Sequence, residues 1–417
     1  MRRNIPEEIP PAFRVTNTRR TAPGPTELPY NMSRCTAGEF VVILACVTLL
    51  LWISLNTSVF LQNQQPDRIP CRLPITHTPE SHSKSACTVV THVAFLKVHK
   101  AGSSTVANII QRFGIQRNLS FVVPKKPFHG LSYNYIGGAR DTVSRDNVIP
   151  PPAGSTYDVL WNHVVYNRSA FKNVMPADTR YISIVRHPMD QFVSAFEYYG
   201  PGQHVTDGFW GLKDHQSIVN GFLDNPWDFE DKDVVMSHTL NSLAYDFGFT
   251  DEMIQNKTSR FLYLTQMAED FQLVMVMEHF DESLVLLKRY FCWSTKDILY
   301  LPKNKNEKKK RLTFTDKYRE RHRQVAETDY DIYAYFRSLF WRKVWQEGPS
   351  FHSEVAHFKY VNSVVTDHCL LNKTLHVAAS PWDEPYTVNW MDCHYTNSNE
   401  LDLYDVIYNS TVGRTQQ

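Results

Sequence analysis

Residues Phe95–Thr105 read FLKVHKAGSST, and the change of pattern inside that stretch sets the fold class. Val93, Ala94, Phe95, Leu96 and Val98 make a short apolar, β-prone run. Lys100, Ala101, Gly102, Ser103, Ser104 and Thr105 follow with a cation, a flexible bend and three hydroxyls. From Val106 the period turns helical, and Val106, Ile109, Ile110 and Phe113 share one face. A strand that turns tightly into a helix aims successive backbone N–H groups at one point, which suits an anion. Lys100 adds a mobile point charge. The stretch reads as a grip for nucleotide phosphates. Its plain alternative is a strand and a serine-capped helix with Lys97 and Lys100 solvated.

Outward from that loop, short β-branched runs alternate with longer helical ones. The runs are Val89–Val98, Tyr157–Asn162, Tyr181–Val185 and Val274–Met277; the helical patterns are Thr105–Phe113, Met189–Tyr199, Asp281–Tyr290 and Asp316–Trp345. This alternation predicts an α/β fold with a central parallel sheet flanked by helices. Ligands in such sheets bind at the carboxyl ends of strands. Tyr181–Val185 delivers Arg186, His187, Pro188 and Met189 to one such end, and Ser194 follows two turns into the next helix. An arginine and a serine so placed can clamp a phosphate by charge-assisted bonds.

The usual P-loop, G-x-x-x-x-G-K-[ST], puts its lysine after the glycines. Here Lys100 precedes a single glycine, and the order K-x-H-K-x-x-S-S-T resembles the 5′-phosphosulfate loop of sulfotransferases that use PAPS (3′-phosphoadenosine 5′-phosphosulfate). IVRHPMDQFVSAFEYYGP resembles the 3′-phosphate segment of Golgi sulfotransferases. MEHFDESLVLLKRYFCW (Met277–Trp293), followed by DILYLPKN, is similar to a segment of the galactose 3-O-sulfotransferases. The resemblance spans roughly Val93 to Trp345 and weakens beyond about residue 350. It implies a P-loop-like sulfotransferase fold, type II Golgi anchoring, PAPS as sulfuryl donor without a metal, and sulfation of a β-galactose 3-hydroxyl. It also implies Lys97, Lys100, Gly102, Ser103, Ser104 and Thr105 around the 5′-phosphosulfate, and Arg186 and Ser194 on the 3′-phosphate. Val98 and Ala101 stand where relatives are expected to carry threonines, so Ala101 would contribute backbone donors only.

Sulfuryl transfer needs an in-line hydroxyl, a base and positive charge on the departing phosphate. Lys100 suits the last role. A histidine suits the base. His163 in WNHVVY follows a strand and resembles the histidine segment of uronyl 2-O-sulfotransferases; His99, inside the first loop, is the second candidate and His187 a third. The run PKNKNEKKKR (Pro302–Arg311) is either a basic flap over the phosphates or a solvated loop.

The 417 residues carry a net charge of +1, which offers no global field for nucleic acid. Phe40–Phe60 is 21 residues without a charge, enough to cross a bilayer as a signal-anchor helix. Six arginines precede it, which orients residues 1–39 as a disordered cytoplasmic tail, 61–88 as a lumenal stem and 89–417 as a lumenal sulfotransferase domain. Acceptor triplets at Asn118, Asn167, Asn256, Asn372 and Asn409 agree with that side. So do Cys71, Cys87, Cys292, Cys369 and Cys393, an odd set that leaves one thiol free or paired with a second copy of the chain, a homodimer. No C-x-x-C spacing suggests structural zinc. Near-zero charge favours a neutral galactose acceptor, on glycolipid or glycan, over a polyanion. The rivals are a uronyl or hexosamine sulfotransferase, and a membrane-anchored glycan-binding protein without catalysis.

Overall fold

The computed structural model describes residues 87–125, 134–137, 141–199, 214–229, 237–302, 312–371 and 373–415. These belong to one unit, Lys84–Gln417. The tail, the Phe40–Phe60 segment, the stem up to residue 86 and most of the basic run lie outside the described residues. Among the described residues no helix is long and apolar enough to cross a membrane.

Four strands make the central sheet: β1 (Val93–Leu96), β2 (Val159–Leu160), β3 (Arg180–Val185) and β4 (Phe271–Val276). All neighbours are parallel, in the order β2-β1-β3-β4. Val93, Phe95 and Leu96 are wholly buried, as are Ile182, Ile184, Leu273 and Met275. Burial on both faces explains why these strands read as continuous apolar runs and not as alternating ones. Around the sheet lie α1 (Ser103–Gln116), α2 (Arg168–Val174), α3 (Pro188–Tyr199), α4 (His215–Asp224), α5 (Ser242–Asp246), α6 (Lys257–Asp270) and α7 (Phe280–Phe291). Further along come α8 (Asp316–Val325), α9 (Glu327–Gln346), α10 (Ser350–His368), the antiparallel pair β5 (Leu375–Val377) and β6 (Tyr386–Val388), α11 (Trp390–Asn397) and α12 (Glu400–Thr415).

Connectivity creates the crevice. The chain leaves β1 towards β2 on one side and leaves β3 towards β4 on the other, although β1 and β3 are neighbours. Loops leaving adjacent strands in opposite directions open a cleft at their carboxyl ends. The α/β fold with a central parallel sheet is therefore borne out. Two details differ from the sequence reading. The helical pattern Asp316–Trp345 is two helices, broken at Ala326 with φ −119°. And α1 is buried nearly all round, because α11 and α12 cover its polar side.

Two disulfides staple this unit. Cys87–Cys292 ties the chain ahead of β1 to the end of α7, and Cys369–Cys393 ties the end of α10 to α11. Cys71, the fifth cysteine of that set, lies outside the described residues.

Candidate active site

Two backbone features shape the first loop. Lys100 and Gly102 both lie in the left-handed region, at φ 56° and 78°. Gly102 is the N-cap of α1, with no side chain capping the helix end and no acid in its first turn. A Cβ at Gly102 would sit 2.3 Å from Met277 Sδ and force that flexible side chain to shift, and the positive φ itself favours glycine. Ser103 turns inward, its hydroxyl donating to Val98 O at 2.5 Å, while Ser104 is exposed and Thr105 half-buried. The helix end thus presents unshielded N–H groups, the condition an anion needs.

The second loop is sewn to the first. Arg186 Nη1 donates to Lys100 O at 3.2 Å, and Gln191 Nε2 on α3 donates to His99 O at 2.8 Å. His187 N donates to Glu278 Oε1 at 2.7 Å, joining the end of β4. Burial, then Arg186 and Lys97, bring the Lys100 ammonium down to about 8. Its Nζ sits 3.5 Å from the centre of the Tyr198 ring. Ser194 is half-buried on α3, on the helix that follows Arg186. Crowded cations beside a bare helix end fit the two phosphate groups of a PAPS-like donor.

Beyond β1 on the other side stands a network of histidines and acids. His163, at the carboxyl end of β2, is engaged at both nitrogens: Nδ1 donates to Lys97 O at 3.1 Å and Nε2 accepts from Lys97 Nζ at 2.7 Å. Burial first, then the Lys97 charge beside it, hold its imidazole well below the ordinary range, so it is neutral. Lys97 is itself buried and pairs with Glu400 Oε1 at 3.0 Å. The His99 ring stacks on His163 at 4.1 Å. Asp246 holds His99 twice, accepting from its backbone N–H at 2.7 Å and facing Nδ1 at 2.7 Å. With Nδ1–H turned to the carboxylate, Nε2 carries the lone pair and accepts from the Tyr135 hydroxyl at 2.9 Å. His238 lies 5.1 Å from His99 and stacks on Tyr199; burial and the neighbouring His99 lower it to about 4.

The structure therefore brings Lys97, His99, Lys100, Ala101, Gly102, Ser103, Ser104, Thr105, His163 and Arg186 to the carboxyl edge of one sheet, with Ser194 about two turns further along α3. Asp246, Tyr135, His238 and Glu400 escaped the sequence reading. Only Asp246 left a trace there, as a lone acid in the apolar run SLAYDFGF. It sits at the end of α5, whose first N–H groups, at Leu243 and Ala244, donate to the buried carboxylate of Asp329 at 3.1 and 2.9 Å.

A model of the galactose-3-O-sulfotransferase family matches residues 33–392, which takes in the sheet and both loops. The chain belongs to that family. Galactosylceramide sulfotransferase of Mus musculus is 28% identical over 301 residues, covering 71% of this chain and 68% of that protein. Galactose-3-O-sulfotransferase 2 of Sus scrofa is 31% identical over 274 residues, 65% of this chain and 66% of its own length. Galactose-3-O-sulfotransferase 3 of Mus musculus is 30% identical over 315 residues, 74% and 68% respectively. The chain thus spans about two thirds of the curated relatives it matches. Family membership bears out the resemblance carried by the two loops and by Met277–Trp293. The matched region contains Lys97 through Asp246 and ends before Glu400.

Proposed function

We propose that this chain transfers the sulfuryl group of PAPS to the 3-hydroxyl of a terminal β-galactose on a glycolipid or glycan, from a type II anchor in the Golgi membrane. The observation that carries this reading is the stitching of the Lys100 and Arg186 loops at the β1/β3 crevice, beside the His99–Asp246 pair. Lys100 and the bare end of α1 would take the 5′-phosphosulfate, and Arg186 with Ser194 the 3′-phosphate. Two disulfides among the described residues agree with an oxidising, lumenal setting.

Geometry favours His99 over His163 as the base. His163 Nε2 is already occupied by an ammonium, whereas His99 Nε2 holds only a neutral phenol. In the proposed reaction the galactose 3-hydroxyl replaces the Tyr135 hydroxyl on Nε2 and gives up its proton there. Its oxygen then bonds to sulfur as the bond from sulfur to the phosphate oxygen breaks. Lys100 meets the charge that develops on that oxygen, and Asp246 stabilises the imidazolium. Positioning and electrostatics carry the acceleration, as in phosphoryl transfer. The test incubates the full-length chain in detergent with sulfur-labelled PAPS and a panel of galactosides, uronyl chains and hexosaminides. Label on the galactose 3-hydroxyl is expected; label confined to uronyl or hexosamine acceptors, or none at all, overturns the reading.

A further inference from the structure

Lys97 presents a physical puzzle. Its side chain is only 3% exposed, yet an ammonium removed from water needs opposite charge to remain there. That charge comes from Glu400, the first residue of α12, whose side chain is 10% exposed. Glu400 Oε1 meets Lys97 Nζ at 3.0 Å and accepts from Asn134 Nδ2 at 3.1 Å. Its backbone carbonyl accepts from Gln111 Nε2 on α1, so the phosphate-loop helix itself fixes where the carboxylate stands. Asn108 of α1 donates to Tyr395 O and Ser398 O just ahead of it. At the first turn of α12 the acid also suits the helix dipole. Lys97, Asn108, Gln111 and Asn134 lie in the family-matched region, whereas Glu400, Tyr395 and Ser398 lie beyond its end at residue 392.

An ammonium has three protons. Among the described residues, His163 and Glu400 take two. We propose that Glu400 is a positioning residue of the transfer site: it fixes Lys97, through Lys97 the neutral His163, and through the stacked ring the orientation of His99. This rests on the sulfotransferase reading above. Without the carboxylate, the buried ammonium would keep a single neutral partner and turn towards solvent or towards the donor's phosphates. Ring order beside the base would be lost while the phosphate grip of Lys100, Arg186 and the end of α1 stayed intact.

The experiment measures kcat with whichever acceptor in the panel the full-length wild type sulfates best, and affinity for adenosine 3′,5′-bisphosphate. Using the best acceptor, whatever its sugar, keeps a failure of the galactose reading apart from a failure of this one. Glu400→Gln is expected to lower kcat about 10- to 100-fold, the worth of a charged hydrogen bond, with bisphosphate affinity changed less than about threefold. Because Glu400 acts through Lys97, adding Glu400→Gln to Lys97→Met should cost nothing further. Arg414→Ala, which loosens the far end of α12 from Asn118 O, should leave kcat unchanged. If Glu400→Gln fails to fold, Glu400→Asp keeps the charge, shortens the reach and enters the same cycle. Wild-type kcat in the Glu400 variant, multiplicative losses with Lys97→Met, or an equal loss in Arg414→Ala would each overturn the proposal.

Discussion

His99 and Lys100 are adjacent in sequence but face opposite tasks. One needs a lone pair and the other a charge. Asp246 supplies the first by holding Nδ1–H, which leaves Nε2 basic. His99→Ala should lower kcat by about 10²- to 10⁴-fold, the usual worth of a general base, with bisphosphate affinity nearly unchanged. Wild-type turnover in that variant would hand the role back to His163. Lys100 has the converse problem, since burial and the Arg186 and Lys97 charges lower it to about 8. The free protein therefore loses this charge as pH rises through about 8, and binding an anion restores it as the lysine takes up a proton from solvent. Affinity for adenosine 3′,5′-bisphosphate, measured by calorimetry, should fall above that pH, and Lys100→Arg should flatten the fall because guanidinium stays charged. A flat wild-type profile from pH 7 to 9.5 would remove Lys100 from the phosphate site. Lys100, Gly102 and Arg186 were legible in the sequence because each works from its own loop. Asp246 and Glu400 were not, because their partners lie 147 residues away in one case and at the other end of the domain in the other.

At the scale of elements, β1 and α1 work as one part only through the bend at Gly102. Its φ of 78° costs a side chain about 1–2 kcal/mol, and a new Cβ would also collide with Met277 Sδ. Gly102→Ala should therefore lower thermal stability by that amount or more and weaken bisphosphate binding. Adding Met277→Ala should recover the collision and not the strain. Full recovery in the double variant would show that φ is irrelevant there. The apolar face of α1 was legible from its spacing, and Val106, Ile109, Ile110 and Phe113 are all buried. Its other face misled, because Asn108, Gln111 and Arg112 look like solvent-facing residues and instead donate to carbonyls of Ser398, Glu400 and Leu299. Polar side chains that bind a distant backbone carry no periodic signal. The break at Ala326 was equally silent, since neither proline nor glycine marks it.

Across the whole molecule, burial keeps several groups in their neutral form, and these groups shape the response to acid. Burial lowers His322 to about 3 and His238 to about 4, and holds His163 well below its ordinary range. An unfolded chain protonates all three below about pH 6.5, whereas the folded chain does not, so each contributes stability that drains away as pH falls. Asp329 works against them. Burial raises its carboxyl to about 7, so between about pH 4 and 7 the folded chain holds a proton that the unfolded chain has released. Three such imidazoles against one such carboxyl favour net proton uptake on unfolding below about pH 6.5. Stability should then fall as pH drops below about 6.5, each proton of net uptake being worth about 1.4 kcal/mol per pH unit. Melting temperatures of the full chain from pH 7 to 4.5 should drop steadily, and His322→Gln should make the slope shallower by about one proton's worth. A melting temperature that stays level, or rises towards acid, would mean that these imidazoles are protonated in the folded state and that the neutral, ammonium-bound His163 does not exist in solution.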